Sequence, residues 1–151
     1  MYLVVKFLPQ GTQWISQRAQ KNINNMTENE ISKVVFDCAL KVHQNLGPGL
    51  LESAYEECLY YELCKTGLEI EKQKPLPLVY EEVKLEVGYR IDIMIENKFI
   101  IEIKAVDALN DVHLAQVLTY LKLSNCKLGL LINFNVTLIK NGIRRIINGT
   151  L

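Results

Sequence analysis

At 151 residues the chain can bury one sizeable core, and its 17 basic and 17 acidic residues leave no net charge. That balance excludes a protein that lives on non-specific attraction to phosphates, though not one with a local basic groove, and 49% hydrophobic with 23% charged residues is the make-up of an ordinary globular domain. Cys38, Cys58, Cys64 and Cys126 form no C-x-x-C pair and read as buried free thiols of a reducing, cytoplasmic compartment; no apolar run is long enough to span a membrane.

Residues 1–25 carry Lys6, Arg18 and Lys21 and no acid. The apolar run from Tyr2 to Leu8 is short for a secretory signal and no small-residue cleavage pattern follows. The stretch reads as a poorly ordered extension, and the domain is expected to occupy residues 26–151. Thr27 and Glu30 make a capping box. The helix they open carries Ile31, Val34, Val35, Cys38, Ala39, Val42 and Leu46 at helical spacing and ends at Gly47. His43 borders the apolar face and reads as a structural histidine. Gly47-Pro48-Gly49 turns into a second helix, about Leu50 to Lys65, with a core stripe of Leu51, Ala54, Cys58, Leu59 and Leu63. Glu52 lies in its first turn, where the helix dipole favours an anion, and shares an edge with Tyr55 and Glu56. On spacing alone Glu52 is a surface acid.

Glu69 to Tyr80 is extended, and Pro75 and Pro77 make it an edge strand or two short pieces. Val83–Leu85 is a further short strand. From Gly88 to Ala105 the pattern predicts a β-hairpin. A three-residue loop of Glu96, Asn97 and Lys98 pairs Ile95 with Phe99 and sets Asp92 opposite Glu102, with Asn97 or Lys98 in the left-handed region. One face then holds Ile91, Ile93, Ile95, Phe99, Ile101, Ile103 and Ala105. The other holds Arg90, Asp92, Met94, Ile100, Glu102 and Lys104. A one-residue slip would mix the two sets. Two carboxylates and a lysine on one face are expensive to desolvate unless they pair or hold a cation. From spacing alone an ion-paired sheet face and a cation site fit equally well.

Asn110 or Asp111 caps a third helix, to about Leu123. Val112, Ala115 and Leu118, with Leu114 and Leu121, are expected to face the core, and His113, Gln116 and Tyr120 form a polar stripe. Lys127–Phe134 is nearly all apolar, the mark of a strand covered on both faces. The tail is a short strand or helix with Lys140, Arg144 and Arg145 as a basic edge. The order of elements predicts an α+β layered domain. Its charged sheet face is expected to open into a cleft roofed by the second and third helices.

This arrangement resembles the PD-(D/E)XK nuclease superfamily. The α-β-β-β-α-β order carries D…E-x-K as Asp92, Glu102 and Lys104, though Ile91 stands where the motif has proline. Gly49-Leu50-Leu51-Glu52-Ser53-Ala54-Tyr55 is similar to the signature of its GxxExxY branch. The resemblance implies a restriction-endonuclease-like core, a mixed sheet flanked by helices. It implies a nuclease that hydrolyses phosphodiesters, of DNA ahead of RNA, using Mg²⁺ with Mn²⁺ as a substitute. Asp92, Glu102 and the Ile103 carbonyl would hold the metal, and Glu52 would complete its shell. Lys104 would orient or deprotonate the attacking water. Gln116 and Tyr120 match the Q-x-x-x-Y pattern of RecB-like nucleases and would position Lys104 or the phosphate. Arg90, Tyr55 and His113 are the expected nucleic-acid contacts, and a homodimer is expected because a duplex has two strands to cut. The alternative is a catalytically silent nucleic-acid or protein-binding module on the same fold.

Overall fold

The structure is a computed structural model and describes residues 25–86 and 88–151. Residues 1–24, where most of the expected extension falls, lie outside the described residues. Helix α1 (Glu28–Leu46) begins at the capping box: Thr27 accepts from the Glu30 N–H and the Glu30 carboxylate accepts from the Thr27 N–H at 2.7 Å. Its buried row is Ile31, Val35, Ala39 and Val42, and Gly47 ends it at a positive φ that glycine adopts without steric cost. His43 is structural, its Nε2 lying 2.7 Å from the Val136 carbonyl.

Helix α2 (Glu52–Cys64) starts later than the sequence predicts, and its buried face takes in Tyr55 rather than Leu51. Leu51, expected in the core, is the N-cap and is 76% exposed. Leu59 and Leu63 are buried as expected, Ala54 and Cys58 are half-buried, and Tyr55 joins the buried row in place of Leu51. The reason is the Gly47–Leu50 turn. The Tyr55 hydroxyl donates to the Gly47 carbonyl at 2.6 Å and accepts from the Leu50 N–H at 3.1 Å. Its ring stacks on Phe134 with centroids 4.6 Å apart. One aromatic side chain thus sets both the turn and the rotation of the helix.

Strands β1 (Ile70–Pro75), β4 (Arg90–Ile95), β5 (Phe99–Lys104), β6 (Leu128–Asn133) and β7 (Ile143–Ile147) form one sheet in the order β1-β4-β5-β6-β7. Strands β2 (Leu78–Tyr80) and β3 (Val83–Leu85) pair only with each other, so the proline-broken segment is two pieces, the second outside the main sheet. Neighbours in the main sheet are antiparallel except β5 and β6, which run parallel through the crossover helix α3 (Asp111–Ser124). The tail is both a helical turn, α4 (Ile139–Gly142), and strand β7, with Arg144 and Arg145 exposed. This mixed five-stranded sheet flanked by helices is an α+β restriction-endonuclease-like architecture. Among the described residues no helix is long and apolar enough to cross a membrane.

The β4–β5 hairpin has the expected register, with Ile95 opposite Phe99 and Ile93 opposite Ile101. Glu96 and Asn97 are its left-handed residues, at φ +50 and +54. Asn97 is in its expected role; Lys98 is not, and Glu96 takes its place. Two cores lie on the two sheet faces. Ile93, Ile95, Phe99, Ile101 and Ile103 pack with α1 and α2. Met94, Ile100 and Leu131 pack with Val117, Tyr120 and Leu121 of α3. Ile91 belongs to the second core rather than with Ile93, so the alternation of β4 breaks at Asp92. Val112 and Ala115 of α3 are exposed; Leu114, Val117, Leu118 and Leu121 turn inward. Because α2 and α3 cover opposite faces, they do not roof one side of the hairpin. They approach the charged residues from two sides.

Candidate active site

Asp92, Glu102 and Lys104 are brought together as the hairpin register requires. The β4–β5 ladder closes at Ile93–Ile101, and beyond it the Asp92 carboxylate replaces the backbone partner: Oδ2 accepts from the Ile103 N–H at 2.8 Å. Glu102 sits on the face of Ile100 and is 4% exposed. Its Oε1 accepts from Lys104 Nζ at 3.3 Å. Its Oε2 is buried and has no hydrogen-bond partner. A buried carboxylate oxygen without a donor is costly and calls for explanation.

The electrostatics are those of charges crowded out of water. Burial, then the charge of Asp92, push the Glu102 carboxyl up to about 8, against the pull of Lys104. Burial also raises Asp92. The Ile103 N–H lowers it in part, and the charge of Glu52 raises it again. Glu52 is exposed in the first turn of α2 and acts on both carboxyls through space. Among the described residues no three His, Cys, Asp or Glu side chains gather closely enough to form a metal cluster. Glu52, Asp92 and Glu102 influence one another's charge without forming such a cluster.

Gln116 and Tyr120 do meet: Gln116 Nε2 donates to the Tyr120 hydroxyl at 3.1 Å. Burial raises the Tyr120 phenol, and Glu102, Lys104 and Asp92 are the charges that act on it, so the pair borders the acidic site. His113, by contrast, is engaged at the helix start. Its Nδ1 accepts from the Asn110 N–H at 3.2 Å, while Asn110 Oδ1 accepts from the His113 N–H. Tyr55 is wholly buried in its stack on Phe134, which corrects its assignment: it has no surface to offer a nucleic acid. Arg90 is exposed, with Nη1 on the Gln73 carbonyl.

Four neighbours escape sequence reading. Asn133 is buried and ties down the loop after Lys104: its side chain bonds both the N–H and the carbonyl of Val106, while the Phe134 N–H donates to the Lys104 carbonyl. A lone amide in an apolar run was the available signal. Tyr89 is 46% exposed and tilts on Tyr120 with centroids 6.3 Å apart, placing an aromatic ring beside the site. Gln73 and Glu56 reach Asp92 from β1 and α2; helical spacing puts Glu56 on the edge of Glu52, but no local pattern ties either residue to Asp92.

The donor set suits a hard divalent cation. Both acids are carboxylates, one oxygen is buried without a partner, and both groups are pushed toward protonation despite the nearby Lys104. Fold and site together define a nuclease-like domain with paired carboxylates and a lysine at the divergence of two strands. The family model of the PD-(D/E)XK nuclease superfamily matches residues 29–146, and the chain belongs to that superfamily. Comparison with curated proteins and with solved structures gives no match.

Proposed function

We propose that this chain is a divalent-metal-dependent nuclease hydrolysing phosphodiester bonds, of DNA ahead of RNA, in the cytoplasm. Within the superfamily we assign it to the GxxExxY branch, on Gly49, Glu52 and Tyr55. The observation that carries the reading is the unpartnered Glu102 Oε2 beside Asp92, with Lys104 on the other oxygen. Glu102, Asp92 and the Ile103 carbonyl would hold Mg²⁺ or Mn²⁺, with Glu52 adding its charge across a water. When bound, such an ion supplies Lewis acidity at the phosphate and a more acidic water. Lys104, 15% exposed and anchored on Glu102, is placed to orient the attacking water and to offset charge as it develops on phosphate oxygens. Gln116 holds the Tyr120 hydroxyl toward the same region. Arg90 and Tyr89 are exposed and suit a phosphate and a base face respectively. A homodimer would supply the second site needed to cut both strands of a duplex.

The test is cleavage of plasmid and single-stranded DNA and of RNA by pure protein, with Mg²⁺, with Mn²⁺ and with chelator. Cleavage that needs the ion and is lost in Asp92→Ala supports the reading. Equal cleavage by Asp92→Ala refutes it. The second reading is a silent binding module, favoured by the lack, among the described residues, of three acid, histidine or cysteine side chains grouped to hold a metal. It predicts nucleic-acid binding that persists unchanged in Glu102→Ala and Lys104→Ala without uptake of metal.

A further inference from the structure

Opposite Asp92 the edge strand departs from regular geometry. Strands β1 and β4 hold one register from Ile70–Ile95 to Pro75–Arg90, yet the pair Gln73–Asp92 is skipped. Gln73 stands at φ +53, a left-handed conformation that residues other than glycine rarely adopt. Its carbonyl accepts from Arg90 Nη1 at 3.2 Å. The same twist sends its side chain toward two acids. Its Nε2 donates to Glu56 Oε2 at 2.7 Å and lies 3.4 Å from Asp92 Oδ1. Both neighbours are acceptors, and a primary amide nitrogen carries two N–H groups, so one amide can serve the two at once. A glutamate at 73 would be a third carboxylate in the same space.

We infer that Gln73 is a positioning residue for Asp92, a bridge anchored on Glu56 of α2. The Asp92 carboxylate is then held from two sides, by the Ile103 N–H on Oδ2 and by the Gln73 amide on Oδ1. A strained residue facing a functional carboxylate is the pattern expected where local geometry serves a site. The inference rests on the reading of Asp92 and Glu102 as cation ligands, since outer partners of a ligating carboxylate set metal affinity by roughly 10–100-fold.

Gln73→Gly separates side chain from backbone, because glycine adopts φ +53 freely while the whole side chain, amide included, is removed. Calorimetric titration of the full chain with Mn²⁺ is expected to show about tenfold weaker binding in Gln73→Gly, with a melting temperature no lower than wild type. Glu56→Ala, which removes the anchor, should weaken binding by a similar factor. The double variant should be no weaker than about tenfold, because both changes break one chain. Wild-type affinity in Gln73→Gly, or additive losses in the double variant, overturns the inference. A second measurement needs no variant at position 73. In isotope-labelled protein the Gln73 side-chain amide resonances should move in Asp92→Asn and again in Glu56→Ala. Resonances unmoved by both overturn the bridge. Absence of Mn²⁺ uptake by wild type sinks the cation reading, while the amide resonances still decide whether Gln73 bridges the two acids.

Discussion

Replacing Glu102 by glutamine should stabilise the metal-free protein at neutral pH. Glutamine keeps the shape and the acceptor for Lys104 Nζ but cannot carry the charge that burial and Asp92 oppose. The carboxyl is raised from 4.5 to about 8. A raised carboxyl means that the folded state binds the proton more tightly than the unfolded chain. Its penalty is absent below pH 4.5, grows as pH rises, and is complete near pH 8. At about 1.4 kcal/mol per pH unit, the penalty at pH 7 is at most about 3 kcal/mol. For a domain of this size that is roughly 10 °C in Tm at the upper limit. Thermal melts of both proteins in chelator, at pH 4.5 and pH 7, test it. The variant should melt higher at pH 7 and level with wild type at pH 4.5. A variant that melts at or below wild type at pH 7, or whose advantage is the same at both values, would refute the assignment of a buried acid at 102 whose charge Lys104 only partly offsets.

The same linkage reverses in the presence of a ligand: Mn²⁺ affinity, measured by calorimetry, should fall steadily from pH 8 to pH 5, because binding requires the charged carboxylate. A flat profile would contradict Glu102 as a ligand. Tyr55→Phe keeps the stack on Phe134 but strips the Gly47 carbonyl and Leu50 N–H of their shared partner, and should cost about 1–3 kcal/mol in denaturant unfolding. Gly142→Ala should prevent folding or cost more than about 4 kcal/mol, because a Cβ there collides with the Asn133 carbonyl oxygen; wild-type stability by circular dichroism would contradict this packing.

The sequence made the hairpin legible because two constraints agreed. Period-two alternation and an apolar set that must be buried allow one register, and that register joins Asp92 to Glu102. The capping box at Thr27 was legible for the same reason, since it satisfies orphan N–H groups within four residues; at Asn110 a cap was legible but not the His113 side chain that completes the box. The facing of α3 was not. Val112, Leu114, Ala115, Val117, Leu118 and Leu121 surround much of the helix, so spacing alone selects no single stripe, and packing on β6 decides. Tyr55 misled because i, i+3 spacing put it beside Glu52, whereas the aromatic stack with Phe134, distant in sequence, turned it inward. Of the site, the strand acids and lysine followed from local pattern. Gln73, Glu56 and Asn133 act through contacts between elements far apart in the chain, and in Gln73 through a backbone conformation that its residue type does not advertise.

A cation held by Asp92 and Glu102 would show directly in anomalous scattering from crystals soaked in Mn²⁺. A peak is expected between the two side chains, bonded to Glu102 Oε2. No peak at a saturating concentration, with Oε2 satisfied instead by a protein donor, would contradict it.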